Sequence, residues 1–417
     1  MLFISRFFYR ISLQCYYLAI LIASAFNKKA KLWIEGRNSK NYPERNQFEK
    51  SIWIHVASLG EYEQARPIID ELQSKYPKKP IVVTFFSPSG YEVIKKKNTA
   101  HEIYYLPLDS PSNADFIVKY INPELVIFVK YEFWYYTLKM LKTKNIPVVL
   151  VSAIFRKQQP FFKAHGVFFQ EMLRCFNYIF VQEHLSLEML KSIHISNASV
   201  CGDTRFDRVI KTAKSQYEVP YLKEFQNKKE IFVFGSTWQA DEAIAIEFIN
   251  SICKEFPDYK FIIAPHVILS ENIKALKNKL NAETICYSSL TAENAPNYRI
   301  LIIDNIGMLL KIYRYAEIAY IGGGFNNGIH NILEAAVFGI PVVFGPKFTK
   351  FKEACDLKEL GVAFTINNAY DLETTFRKII NNEPFKIHCQ KELSIYFDEN
   401  SGSTKKVMTY IEKFLSK

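Results

Sequence analysis

From residue 51 onward, short apolar runs alternate with stretches whose apolar residues recur at helical spacing. Residues 52–56 read as a strand, and 61–74 as a helix. The apolar run 80–86 is followed by helical spacing after Ser89 and Gly90. Residues 125–129 and 147–151 repeat the unit with a helix between them, and 179–181 and 198–201 add two later strands. Apolar runs this short and continuous suit strands buried on both faces, as in a parallel sheet. A charged, turn-rich stretch over 207–229 reads as a linker. Runs at 231–234, 260–264, 298–303, 318–321 and 341–344 then form a second series. The expected fold class is α/β: two Rossmann-like, doubly wound lobes, 31–206 and 230–400, facing a cleft, with a last amphipathic helix in 401–417. Open α/β sheets bind ligands at the carboxyl ends of their strands, so site residues are sought just after strands.

The N-terminus follows a different pattern. Residues 11–27 carry no charge, with Arg6 and Arg10 before them and Lys28, Lys29 and Lys31 after. The run falls slightly short of the roughly 20 residues a straight transmembrane helix needs. A cleaved signal peptide, with Ala23-Ser24-Ala25 as its site, and a core helix are the alternatives. The rest of the chain looks cytosolic and a basic cluster follows at once, so residues 1–30 are expected to be an uncleaved membrane anchor helix, spanning or lying in the interface. The lysines would then meet anionic head groups on the cytoplasmic side.

Composition narrows the class. Of 417 residues, 49% are hydrophobic and 23% charged, which excludes disordered and collagen-like chains. Net charge is +11, favouring anionic partners such as lipid or phosphorylated substrates. No RNP, zinc-finger or helix-turn-helix signature supports nucleic acid. The seven cysteines are scattered without a C-x-x-C pair, as expected of reduced core thiols. The eight histidines are dispersed, no Asp-x-Asp follows a strand, and G-x-S-x-G and Walker A strings are absent. No metal and no cofactor are expected.

Four strings carry candidate chemistry. In Ala57-Ser58-Leu59-Gly60-Glu61, Ser58 suits a helix cap, Gly60 a tight turn, and Glu61 a general base at the helix start. A first-turn acid favoured by the helix dipole is the plain alternative. Lys130-Tyr131-Glu132-Phe133-Trp134 sets an acid among aromatics; Glu132 is either catalytic or buried against a base such as Arg156. In Gly202-Asp203-Thr204-Arg205-Phe206-Asp207, Arg205 suits an anionic oxygen or else an interlobe ion pair with Asp203 or Asp207. The longest string, Gly322-Gly323-Gly324 through His330-Asn331-Ile332-Leu333-Glu334, follows a strand and opens a helix, as a phosphate site does, a glycine turn needed only for packing being the plain alternative. Glu334 is placed there to accept from ribose hydroxyls.

Together these strings resemble the bacterial 3-deoxy-D-manno-octulosonic acid (Kdo) transferases of lipid A assembly, from about Lys31 to the C-terminus. Further matching pieces are Gly235-Ser236-Thr237, 304–313 and 339–346. The aromatic load and the Gly-Asp-Thr-Arg-Phe-Asp string resemble the Bacteroidetes branch. The resemblance implies a GT-B fold and an inverting, metal-independent glycosyltransferase at the cytoplasmic face of the inner membrane. CMP-Kdo would be the donor, bound by the C-terminal lobe, and a lipid A precursor the acceptor, bound by the N-terminal lobe. Glu61 corresponds to the family's base, and Glu132 and Arg205 to positions that stabilise the transition state. Ser58, Gly60, Ser236, Thr237, Gly323, Gly324 and His330 fall with the substrate-binding segments. Pro265-His266, Ile306-Gly307-Met308 and Asn331-Ile332-Leu333-Glu334 correspond to CMP contacts. Three positions depart from the family. A P-R-H-P string is replaced by Pro265-His266-Val267-Ile268, Lys is common where Arg205 stands, and Gly-Glu is common where Gly307-Met308 stands. The rivals are a GT-B transferase using a UDP-sugar for envelope glycolipid, and a non-catalytic membrane-surface protein.

Overall fold

The computed structural model describes residues 2–38, 42, 48–97, 99 and 101–415. The chain divides into two compact units, Met1–Arg208 with Asn400–Lys417, and Val209–Glu399. In the first, strands β1 (Ser51–Val56), β2 (Ile81–Phe85), β3 (Glu102–Tyr105), β4 (Pro123–Val129), β5 (Val148–Ala153), β6 (Tyr178–Val181) and β7 (Ala198–Val200) form one sheet. Its order is β3-β2-β1-β4-β5-β6-β7, with parallel pairing throughout. Strand β1 is buried along its whole length, and its side chains divide by parity between two cores. Ile52, Ile54 and Val56 pack on one face of the sheet, while Trp53 packs on the other with Val126 and Phe128. A one-residue slip would exchange the two sets, so burial on both faces fixes the register.

Local signals set where helices start and stop. Ser110 caps Pro111–Ile121 by accepting the Asn113 amide, Pro111 supplies a preset first-turn φ, and Asn122 ends the helix at φ 47°. The last helix, Ser403–Ile411, packs on the first unit: Val407, Met408 and Ile411 join the core of β1 and the helix Leu59–Lys75. Asp207 holds its start by accepting the Gly402 and Thr404 amides, both at 2.6 Å.

The second unit has strands β8 (Glu230–Thr237), β9 (Tyr259–Pro265), β10 (Thr284–Cys286), β11 (Ile300–Ile302), β12 (Ile318–Ile321), β13 (Val342–Phe344) and β14 (Ala363–Thr365). The order β10-β11-β9-β8-β12-β13-β14 is again parallel. The sequence reading missed β3, β10 and β14. Each is a sheet edge of three or four residues, too short for a periodic signal.

The N-terminal helix runs Leu2–Ala23, and among the described residues no helix is long and apolar enough to cross a membrane. One face of the helix docks on the first unit. Tyr9 donates to Asp109 at 2.8 Å, and Asp109 in turn accepts the Tyr136 and Thr137 amides and the Thr137 hydroxyl. Elsewhere Phe3, Phe7, Phe8 and Ile22 stay exposed.

Candidate functional site

The strand order switches direction between β1 and β4 in the first unit and between β8 and β12 in the second. The carboxyl ends of such neighbouring strands diverge into a crevice. Glu61 follows β1, Glu132 follows β4, Ser236 is the next-to-last residue of β8, and Gly322 follows β12.

In the first unit, Ser58 caps the helix Leu59–Lys75 through the Glu61 amide, and the Glu61 carboxylate reaches back to the Ala57 amide. This reciprocal cap answers the alternative sequence reading, because Glu61 is indeed a first-turn acid. A surface cap, however, has no reason to be 9% exposed. Burial first, and then the charge of Glu132, push the Glu61 carboxyl up to about 7 despite its amide partners. A carboxyl poised there can take a proton at neutral pH. Gly60 does not make the tight turn expected of it. It lies in the first helical turn, a Cβ would meet nothing closer than the Ser58 hydroxyl at 4.0 Å, and its lack of a side chain leaves open surface.

Glu132 is 8% exposed and pairs not with Arg156, which is exposed, but with His55. Its Oε2 lies 2.9 Å from His55 Nε2 and accepts the Trp134 indole N–H at 2.8 Å. Nothing in the sequence marked His55 beyond a lone polar residue in a strand that is otherwise apolar after Ser51. Lys130, between β4 and Glu132, has φ 66°, a left-handed conformation that costs a non-glycine residue energy and collects at functional sites.

Arg205 forms an ion pair, but within the first unit. Its Nε and an NH2 nitrogen lie 2.9 and 2.8 Å from Asp203 Oδ2. Burial alone would raise Asp203; the charge and hydrogen bonds of Arg205 outweigh it and hold the carboxyl below its usual range. Gln64 and Gln182 also donate to Asp203, so the guanidinium is braced in place.

In the second unit the glycine string is held close to β8. A Cβ on Gly322 would lie 2.2 Å from the Ser236 carbonyl oxygen, and Gly323 has φ +96°. Asp241, fully buried, ties the parts together. It accepts the amides of Trp238 and Gly323, each at 2.9 Å, and the Tyr320 hydroxyl at 2.7 Å. Asp241 and Trp238 were not among the residues expected. Their signal was a Thr237-x-x-x-Asp241 spacing just after a strand, which a helix-start search can find.

Trp238, His266 and His330 stack, with ring centroids 4.3 Å apart for the first pair and 4.6 Å for the two histidines. Trp238 Nε1 donates to His330 Nε2 at 2.9 Å, which leaves the ring hydrogen on Nδ1. Burial, with His266 second, lowers His330 to about 4, so it is neutral at pH 7. Trp238 and His330 border a cavity of about 450 Å³ lined also by Asn326, Asn327 and Lys347. Gly324 packs on the Gly345 backbone behind it.

The remaining expected residues divide. Asn331 donates to Glu334 at 3.2 Å, next to the same loop. Ile332 and Leu333 are fully buried, so their side chains belong to the core and only their backbone can face a ligand. Thr237 and Pro265 are buried at their strand ends. Ile306 is 83% exposed after β11, and Gly307 at φ +94° meets nothing within 4 Å of a Cβ. Met308 precedes the short helix Leu309–Ile312. Among the described residues no group of three or more His, Cys, Asp or Glu is placed to hold a metal ion.

Residues 32–208 match the family model described as 3-deoxy-D-manno-octulosonic-acid transferase. The chain is 28% identical over 389 residues to the 3-deoxy-D-manno-octulosonic acid transferase of Rickettsia felis, covering 91% of this chain and 82% of that one. It is also 28% identical to the enzyme of that name from Aquifex aeolicus, over 79% of this chain and 86% of the other. A solved glycosyltransferase from Rickettsia africae, 12% identical, superposes with a TM-score of 0.56 over 89% of this chain and 100% of that one. That likeness shows the GT-B fold, and in sequence the chain is similar to the 3-deoxy-D-manno-octulosonic acid transferases over most of its length.

Proposed function

We propose that this chain, a relative of the Kdo transferases along nearly its whole length, moves Kdo from CMP-Kdo to a hydroxyl of a lipid A precursor. The reading rests first on Glu61, a buried carboxyl at about 7 at the end of β1, beside the charge of Glu132. In a single displacement the acceptor oxygen bonds to the anomeric carbon as the CMP phosphate oxygen leaves with the bonding pair. The acceptor proton passes to Glu61, and the anomeric configuration inverts. Glu132 and Arg205 bear on charge at the reacting centre, and the step calls for no metal.

The second unit supports the donor half. Among the described residues lining the cavity, Lys347 is the charged side chain at neutral pH, and Asn326 and Asn327 add side-chain donors, a set suited to an anion. Glu334, after the loop, suits the ribose. The exposed phenylalanines of Leu2–Ala23 and the lysines after it suit a helix lying in the membrane interface, on the cytoplasmic face of the inner membrane where lipid A precursors are met. Thermal denaturation with each nucleotide tests the donor assignment: CMP should raise the melting temperature and UDP should not. Stabilisation by UDP alone would move the reading to a UDP-sugar transferase.

A further inference from the structure

Strand β1 carries a fully buried histidine whose two ring nitrogens are both engaged. His55 Nδ1 lies 2.8 Å from the Thr84 hydroxyl and 3.1 Å from the Thr84 carbonyl oxygen, and Nε2 lies 2.9 Å from Glu132 Oε2. The Thr84 hydroxyl also accepts Trp53 Nε1–H at 2.7 Å. An indole N–H only donates, so the hydroxyl accepts there and its own hydrogen can go on to His55 Nδ1. The Thr84 carbonyl can only accept and Trp134 Nε1 lies 3.2 Å from His55 Nε2, so what places a hydrogen on Nε2 is its 2.9 Å contact with Glu132 Oε2, since a carboxylate only accepts. Trp134 brings a second N–H to the same oxygen. Trp53, Thr84, His55 and Glu132 thus form one connected buried polar chain, the kind of network that holds a side chain in one arrangement.

The His55 ring also packs edge-on against Phe128, with centroids 5.3 Å apart. A phenylalanine, somewhat larger, would keep an aromatic ring against Phe128. What it cannot supply is the Nε2 hydrogen. Because both donors converge on Oε2, they fix that oxygen and, through the planar carboxylate, the place of the other.

We propose that His55 is a positioning residue for the transfer step: its Nε2–H holds Glu132 in the orientation from which that carboxylate acts on Glu61 and the reacting centre. The proposal rests on the transferase reading above. It predicts that His55 matters only through Glu132, and that any side chain returning an N–H to the same place restores the function.

The test is steady-state transfer with CMP-Kdo and a lipid A precursor, on the full chain. His55→Phe should lower kcat by about 100-fold, the scale on which positioned acid–base groups act, with KM for both substrates little changed. His55→Gln, whose amide N–H reaches toward the same place, should recover most of that loss. In a Glu132→Gln background, His55→Phe should have little further effect, because interacting residues are non-additive. Thr84→Val, which frees the ring hydrogen to move to Nδ1, should lower kcat and lose that effect in the same background. It serves if His55→Phe does not fold. Losses that multiply in the double variants, or a His55→Gln enzyme that folds normally but is as slow as His55→Phe, would overturn the positioning role alone. A folded wild-type enzyme that transfers no Kdo would overturn the transferase reading, and this one with it.

Discussion

Replacing Glu61 by Gln separates its two structural jobs from its chemical one. The amide oxygen of Gln still accepts from Ala57, so the helix cap survives; the Ser58 hydroxyl still receives the residue 61 amide. Burial, which pushes the acid up, costs a neutral amide less, so the variant should fold at least as well as the wild type. Only proton acceptance is lost. General-base help is worth about 100- to 10,000-fold, so kcat should fall by at least about 100-fold while CMP affinity is kept. The pH profile gives a second handle. Glu61 is raised to about 7, so it is mostly protonated below that pH and cannot act. Wild-type kcat should therefore rise with pH through about 7 and level off above it, and the variant should lack that limb. Glu63 is the control: it pairs with Arg208, so Glu63→Gln loses a partly exposed ion pair worth about 0–1 kcal/mol and should keep its turnover. The assay is initial-rate transfer across pH 5.5 to about 8.5, with calorimetric CMP binding alongside. A Glu61→Gln enzyme with wild-type turnover, or a dead Glu63→Gln enzyme, refutes the assignment, and Glu132 becomes the next candidate.

Other consequences can be read on the same protein. Glu132→Gln removes the charge that helps raise Glu61, so the residual activity should rise with pH at a lower midpoint than in the wild type; an unmoved midpoint would disconnect the two acids. Gly322→Ala places a Cβ against the Ser236 carbonyl and should cost about 1–3 kcal/mol in melting experiments, with weaker CMP binding. Tyr9→Phe takes one donor from the buried Asp109 and should destabilise the first unit by about 1.5–3 kcal/mol, the range for hydrogen bonds to charged groups, so a chain lacking residues 1–27 should melt lower than the full chain. His101 and His330 are both held near 4, so the unfolded chain takes up protons first as pH falls from about 6.5 toward 4; stability should drop over that window, and less steeply in a His330→Phe variant.

The doubly wound architecture was legible because its central strands are continuous apolar runs, and 52–56 and 125–129 leave no second reading. Site positions were legible for the same reason: Glu61, Glu132 and Gly322 come just after those runs. Partners were not. Glu132 was matched with Arg156 because a base nearby in sequence was the only visible candidate, whereas its partner, His55, lies 77 residues away and meets it only across the β1–β4 pairing. Asp109 was likewise invisible, since it acts by collecting amides from another part of the chain, and a helix-start search could find Asp241 but not its bond to the Gly323 amide. Ile332 and Leu333 show the opposite error. A motif lists consecutive residues, but the turn they occupy sends these two into the core. The N-terminal run was read by hydropathy alone, which could not show that Tyr9 is hydrogen-bonded to a buried acid.

The central claim is that this chain transfers Kdo. Purified full-length protein, incubated with CMP-Kdo and a lipid A precursor in the presence of a metal chelator, should yield products whose mass has increased by one or more Kdo residues, with CMP released in equal amount. Unchanged precursor, from protein that is folded and stabilised by CMP, would contradict the account.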